Sequence, residues 1–467
     1  MKNCPNCNAS VSDTSKFCNK CGFNFEKKAE LFINREFCVN CGAEMPNDSA
    51  FCPECGCNIE EQKQAAKEAE QKRKEIEEKT KNDSFIENGV LKRYNGSQTN
   101  VIIPNTVTEI SERAFSHCRN LTSIEIPNSV TTICEEAFLC CENLTSIEIP
   151  NSVTIIGKCA FNCKNLVEII VHKENKRYLS DNGVLYTKVK KTLVCYPNGK
   201  SEKHFSIPTE VTTIGEGAFY ECENLTSIDI PNSVTTICEE AFYHCKNLTS
   251  IEIPNSVTTI GEYAFSYCKN LTSIEIPNSV TTIGQYAFYG CENLKSIEIP
   301  NSVTTIGKYA FCGCKNLTSI EIPNSVTTIG ECAFSGCSEI IVHEDNKHYL
   351  SDNGVLYTKD KKTLVCYPYG KSEICFSIPE EVTTIGEYAF YYCVITSIEI
   401  PKSVTIIGER AFSCCENLKT IKIPNSVTII GKYAFWGCEK RKKIRMPKAW
   451  RKKETIDFGC KLKIIYY

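Results

Sequence analysis

Residues 247–269 read NLTSIEIPNSVTTIGEYAFSYCK, and residues 270–292 repeat them as NLTSIEIPNSVTTIGQYAFYGCE. Within this unit Ile251 and Ile253 alternate with Ser250 and Glu252, a period of two that predicts a half-buried strand ended by Pro254. Val257-Thr258-Thr259-Ile260 alternates again up to Gly261. Glu262-Tyr263-Ala264-Phe265 then has room for a single helical turn, with Phe265 as the core plug. Ser111, Cys134 and Cys238 stand at the glycine position of other copies, so a left-handed backbone is not obligatory there. Working outward, an apolar-Pro step recurs from Pro104 through Pro254, Pro277 and Pro300 to Pro447, mostly at intervals of 23 residues. A fixed period of about 20–29 residues marks a solenoid, in which each unit buries its apolar side only against its neighbours. At about 4.8 Å per stacked strand, roughly twelve turns predict a rod of about 60 Å.

Two longer intervals, near 168–206 and 339–377, carry a rarer module. Glu168–His172 recurs as Glu339–His343, each followed by YLSDNGVLYTK at 178–188 and 349–359. Asp181-Asn182-Gly183 and Asp352-Asn353-Gly354 are turn signals, and the apolar runs 354–358 and 363–367 predict a hairpin joined at Lys359–Lys362. These inserts are expected to be enlarged coils that protrude from the solenoid. The string LTSIEIPNSVTTIGEYAF, the SDNGVLYTK inserts and Asn88-Gly89-Val90-Leu91 resemble the BspA-type leucine-rich repeat family over about residues 84–460. The resemblance implies a leucine-rich-repeat-like solenoid, mainly β with short helical turns. It also implies a binding role, adhesive in surface-exposed members.

Cysteine is abundant, with 32 residues. In residues 1–28 the pair Cys4-Cys7 is followed after ten residues by Cys18-Cys21, and in residues 36–58 Cys38-Cys41 is followed after ten by Cys52-Cys55. Each CxxC turn offers two thiolates to one ion, and two such turns complete a tetrahedral Zn²⁺ shell. Gly22, Gly42 and Gly56 follow the second cysteine of their pairs and let backbone N–H groups turn towards sulfur; Asn8 holds that place in the first. The segment resembles the double zinc-ribbon family over residues 3–58. Two structural Zn²⁺ ions with no open position are expected, iron being the competing metal. Cys57 is left over as a bystander. Six Lys/Arg against seven Asp/Glu in residues 1–58 make a poor phosphate-binding surface, which disfavours nucleic acid.

Residues 59–83 are nearly all Glu, Lys, Gln, Arg and Ala, with Glu68–Lys72, Glu70–Lys74, Glu75–Lys79 and Glu77–Lys81 spaced as i,i+4 pairs. They predict a solvated helical strut without a coiled-coil seam. The solenoid proper is assigned to 84–438. Residues 439–467 carry eleven Lys/Arg against three acids and are read as a basic cap on its open end. The repeated cysteine three residues after the core Phe, as at Cys245, Cys268 and Cys291, reads as packing rather than a metal wire.

The outward strand position is acidic in Glu125, Glu148, Asp229, Glu252, Glu275, Glu298, Glu321 and Glu399, before turning to Lys422 and Arg445. That stripe suits either a basic partner or simple solubility. The positions that vary most between copies lie just before Ala-Phe and just after it. Tyr263, Tyr286, Tyr309, Tyr388 and Tyr433 occupy the first of these and are candidate partner-binding aromatics. No catalytic motif is present, and His172 and His343 are equivalent copies, so no enzyme activity is expected. The opening residues show no secretory h-region and no run of about 18 apolar residues occurs, so the expectation is a cytoplasmic scaffold that binds a protein partner without inserting in a membrane. Adhesin-like surface binding and nucleic-acid association are the alternatives.

Overall fold

A computed structural model describes residues 2–3, 10–11, 38, 40–43, 50–438, 443–452 and 463–467. The chain divides into two compact units, Met1–Lys200 and Ser201–Tyr467. Both are built from the same coil. In the second unit the strand Ser250–Glu252 pairs in parallel with Ser273–Glu275, residue for residue, and the two-residue strand Thr259–Ile260 pairs with Thr282–Ile283. Ile251 is buried between exposed Ser250 and Glu252, as the alternation predicts. Pro254 closes the strand with a turn in which the Val257 N–H donates to its carbonyl at 3.0 Å.

The stretch after the glycine is not a helical turn. Tyr263 has φ 53° and Tyr267 φ 58°, and the same pair of left-handed sites recurs at Glu240 with His244 and at Arg410 with Cys414. A residue in this conformation breaks a right-handed helix after one step, so the segment runs as consecutive tight turns. Its N–H groups then alternate in direction. Those of Ala264, Ser266 and Cys268 bond within the coil, to Gly261, Tyr263 and Phe265. Those of Tyr263, Phe265 and Tyr267 reach the carbonyls of Gln285, Ala287 and Tyr289 in the next coil at 2.9, 2.8 and 2.7 Å. The buried turn backbone is satisfied only because a neighbouring coil is there.

Side chains follow the same rule. The Phe rings stack in a column, Phe242 on Phe265 at 5.1 Å, Phe265 on Phe288 at 5.4 Å and Phe288 on Phe311 at 5.4 Å, all within 8° of parallel. Beside them the Cys268 thiol donates to the Phe242 carbonyl at 3.2 Å and Cys291 to Phe265 at 3.1 Å, and burial pushes the Cys291 thiol up to about 12. These cysteines are packed donors, inert at neutral pH. Asn270 donates to Asn247 and Asn293 to Asn270, an amide row on the coil edge. Gly261 and Gly284 have ordinary φ; glycine is used because a Cβ would lie 2.6 Å from backbone carbon of the preceding coil.

The inserts do not protrude. Glu339–Val342 stays in the ladder, pairing in parallel with Ser319–Ile322. Tyr349–Asp352, Val355–Thr358 and Thr363–Cys366 form an antiparallel meander, turned through Asn353 (φ 49°) and Gly354 (φ 73°). The last strand continues the second ladder through Thr363↔Thr384 and Leu364↔Ile385. Fully buried Tyr367 replaces the column Phe and stacks on Phe390 at 5.2 Å. Buried Asn346 staples the insert down, donating to the Pro323 and Val326 carbonyls and accepting from the N–H groups of His348 and Tyr349. The first insert repeats the arrangement with Asn175 and the strands Tyr178–Asp181, Val184–Thr187 and Thr192–Cys195.

The ladder also continues past residue 438. Lys443–Met446 pairs with Thr420–Lys422, Lys463–Tyr466 pairs with Lys443–Met446, and Tyr467 hydroxyl donates to the Ile423 carbonyl at 2.7 Å. The boundary read from the charge change is therefore a change of surface, not of fold.

Because Phe288 lies inside a continuous column, Phe288→Ala should lower stability by about 3–5 kcal/mol in urea unfolding. A loss below about 1 kcal/mol would mean that the column is not the core.

Candidate metal centre and recognition surfaces

In the second ribbon the Sγ atoms of Cys38, Cys41, Cys52 and Cys55 all lie within 4.8 Å of one another. Each CxxC turn is built alike. The Gly42 N–H donates to the Cys38 carbonyl and the Gly56 N–H to the Cys52 carbonyl, both at 2.8 Å, with Gly42 at φ 78° and Gly56 at φ 70°. Here the glycines do supply the left-handed backbone that bends each turn around its sulfurs. Cys38 and Cys55 sulfurs are 3.6 Å apart and Cys41 and Cys52 are 3.5 Å apart. Four thiolates at about 2.3 Å from one Zn²⁺ would stand roughly 3.8 Å from each other, so the four residues fit the ion.

Two of the thiols are shifted in opposite directions. Cys55 is lowered to about 6, chiefly by hydrogen bonds from the Cys57 backbone and side chain. Cys41, although the Ala43 backbone lowers it, is raised to about 12 by desolvation and by the Cys52, Cys55 and Cys38 thiols. Gathering four thiols is costly to ionise without a cation, and that cost is what a bound ion offsets. Cys57, read as a bystander, sits at the edge of the cluster, 3.2 Å from the sulfurs of both Cys38 and Cys55. Cys4, Cys7, Cys18 and Cys21 lie outside the described residues, but Lys2–Asn3 and Ser10–Val11 flank the first CxxC and pair antiparallel.

After the ribbons comes helix α1 (Ile59–Asn82), whose N-cap Asn58 accepts from the N–H groups of Glu60 and Glu61. Rather than standing free in solvent as a strut, it packs against the strand Asn100–Ile102. Gln62, Ala66, Glu70, Arg73, Ile76, Glu77 and Thr80 form a covered stripe at helical spacing. Thr80 is fully buried and its hydroxyl receives the Ile102 N–H, while Arg73 Nη2 donates to Glu125 Oε1 at 2.5 Å. Of the i,i+4 pairs, Glu70–Lys74 forms at 3.5 Å. The docking stripe is short on large apolar residues, which is why sequence reading missed it.

In the second unit the outward strand face is open. It floors a groove of about 1590 Å³ lined by Asp229, Glu252, Glu275, Glu298 and Glu321, with Lys295 and His343 among the other lining groups. At its far end the stripe turns basic, and Lys422 and Arg445 both lie over the Tyr467 ring, at 5.2 and 5.7 Å.

The candidate tyrosines are less available than expected. Tyr263, Tyr286, Tyr309 and Tyr433 are half-buried and Tyr388 is buried. Tyr263 stacks on Tyr286 at 4.6 Å and Tyr286 on Tyr309 at 4.7 Å, Tyr388 meets Tyr309 edge-on, and Arg410 lies over both Tyr388 and Tyr433. Ring faces are spent on one another, and the Tyr388 hydroxyl accepts from Arg410. The variation read as an interface also coincides with left-handed φ, at 53–56° in all five.

The double zinc ribbon profile matches residues 4–56. Among solved structures, a leucine-rich repeat protein from Eubacterium ventriosum is 31% identical, over 58% of this chain and 70% of that one, with a TM-score of 0.46. The pneumococcal vaccine antigen PcpA is 24% identical over 58% of this chain and 78% of its own, with a TM-score of 0.43. A leucine-rich cell surface protein from Faecalibacterium prausnitzii is 27% identical over 81% and 90%, with a TM-score of 0.38. No curated protein matches the chain. The profile of the BspA-type leucine-rich repeat region matches residues 86–198, 187–303, 260–348 and 368–466, so the chain belongs to the BspA-type leucine-rich repeat family.

Proposed function

We propose that the chain is a non-catalytic scaffold that binds a protein partner on the acidic strand face of its second unit, with two zinc-loaded ribbons as an accessory docking module. The observation that carries this is the groove: a continuous floor of outward Ser and Glu side chains on rigid, mutually paired strands. Copies of one residue in equivalent settings do not make the unique acid–base environment that catalysis needs. The histidines agree with that reading. His172 and His343 each accept a backbone N–H two residues on, from Glu174 and Asp345, and so serve the same turn twice.

A reducing, cytoplasmic location is part of the proposal, supported by the many packed thiols that donate to backbone carbonyls. Protease shaving of intact cells checks it: an untouched protein is expected, and cleavage at the surface would favour an adhesin-like role instead.

For the binding face, a Glu275→Lys, Glu298→Lys double variant should lose at least tenfold in partner affinity, while Tyr263→Ala with Tyr286→Ala should change it little. The opposite pattern would transfer the role to the tyrosine row.

For the metal, elemental analysis of the purified chain should give two zinc per molecule. Cys52→Ser should reduce this to one and leave the far-UV spectrum of the solenoid unchanged. Iron in place of zinc, or two ions retained in the variant, would contradict the assignment.

A further inference from the structure

Resting on that reading of the groove, we infer that its occupant is a basic amphipathic α-helix of a partner protein, one that carries a cation on nearly every turn of one face. Three observations lead there. The first is an unmet charge. Glu252, Glu275 and Glu298 are aligned in register on successive strands, and together with Glu321 they have no ion pair among the described residues. The neighbouring Asp229 differs: His204 Nε2 stands 3.0 Å from it and Ser206 donates to it at 2.7 Å. Five carboxylates line the groove against one lysine, Lys295. Stacked like charges repel, and a cationic strip laid along them removes the repulsion.

The second observation is an internal precedent. In the first unit the equivalent outward residue, Glu125 on the strand Ser123–Glu125, is already met by a helix, through Arg73 of α1. There the helix lies along the edge strand Asn100–Ile102, where Thr80 receives the Ile102 N–H, and a long cationic side chain reaches from it to the outward carboxylate. The second unit carries the same ladder over more coils.

The third is dimensional. Successive strands lie about 4.8 Å apart, and one helical turn rises about 5.4 Å. Four carboxylates on adjacent coils therefore span roughly 14 Å, which about ten helical residues cover. Cations spaced three or four residues apart stay within reach of one carboxylate each, and the mismatch per coil is small against the length of a lysine or arginine side chain. An extended strand, at about 3.3 Å per residue with alternate residues facing away, brings like-facing side chains only every 6.6 Å or so, and loses step within two or three coils.

The test uses the full chain and three labelled peptides of identical composition, read by fluorescence anisotropy at low salt. In the first, lysines sit on one helical face. In the second they are spread around the helix. The third keeps the one-faced order but has a central helix-breaking proline, with a proline at one terminus of each of the others. The one-faced peptide should bind at least tenfold more tightly than either control, about 1.4 kcal/mol. The Glu252→Gln, Glu275→Gln, Glu298→Gln variant should lose at least tenfold for that peptide. Equal affinity for all three peptides would overturn the helical occupant while leaving the groove as a docking surface. One-faced preference that survives unchanged in the triple variant would show that the helix binds elsewhere, and would remove the groove itself.

Discussion

The structure depends on the alternation of N–H direction in the turn around each Ala-Phe pair. Every second amide bonds at home and every other one bonds to the next coil. A single coil would therefore leave buried donors unpaired, at a cost of about 1–3 kcal/mol for each. Stacking satisfies them, and the same spacing brings Phe rings, thiols and asparagines into rows. The left-handed residues make this possible, because they turn the chain sharply enough to present amides in both directions. Their strain is held in check by neighbours on either side.

The period, the Pro-closed strand and the second short strand were legible in the sequence because each is a pattern in the side chains themselves. The double ribbon was legible for the same reason: ligand chemistry demands eight cysteines at set intervals. Backbone conformation was not. Glu, Tyr, Arg, Cys and Gly all occupy the site before Ala-Phe, so no residue type betrayed the positive φ, and the segment read as a helical turn. The position that varies most between copies is also one whose backbone is held left-handed. The inserts misled in another way. Their hairpins are strongly marked, but Asn346 and Tyr367, which fold them into the stack, look like ordinary polar and aromatic residues until their partners are seen.

Repetition also shapes what the molecule can do. Any outward residue kept from coil to coil becomes a row, so the chain presents an acidic floor and an amide edge rather than isolated groups. Rows suit extended ligands and suit chemistry poorly. Helix α1 shows the consequence within the chain itself, since a charged segment with little apolar surface settles on the edge strand Asn100–Ile102 through one buried Thr and reaches the outward row through one Arg–Glu pair. That pair is only about two-thirds covered at each end and contributes about 1 kcal/mol or less. Affinity along such a face must come from many weak contacts in step.

The most direct test of mutual dependence between coils is a pair of deletions. Removing residues 270–292 takes out one whole period and joins Lys269 to Asn293 in register, whereas removing residues 270–281 leaves half a coil. The whole-period deletion should fold and unfold cooperatively, with a urea m-value reduced in proportion to length. The half-period deletion should lose a large part of its folded signal. Equal stability of the two would contradict the account.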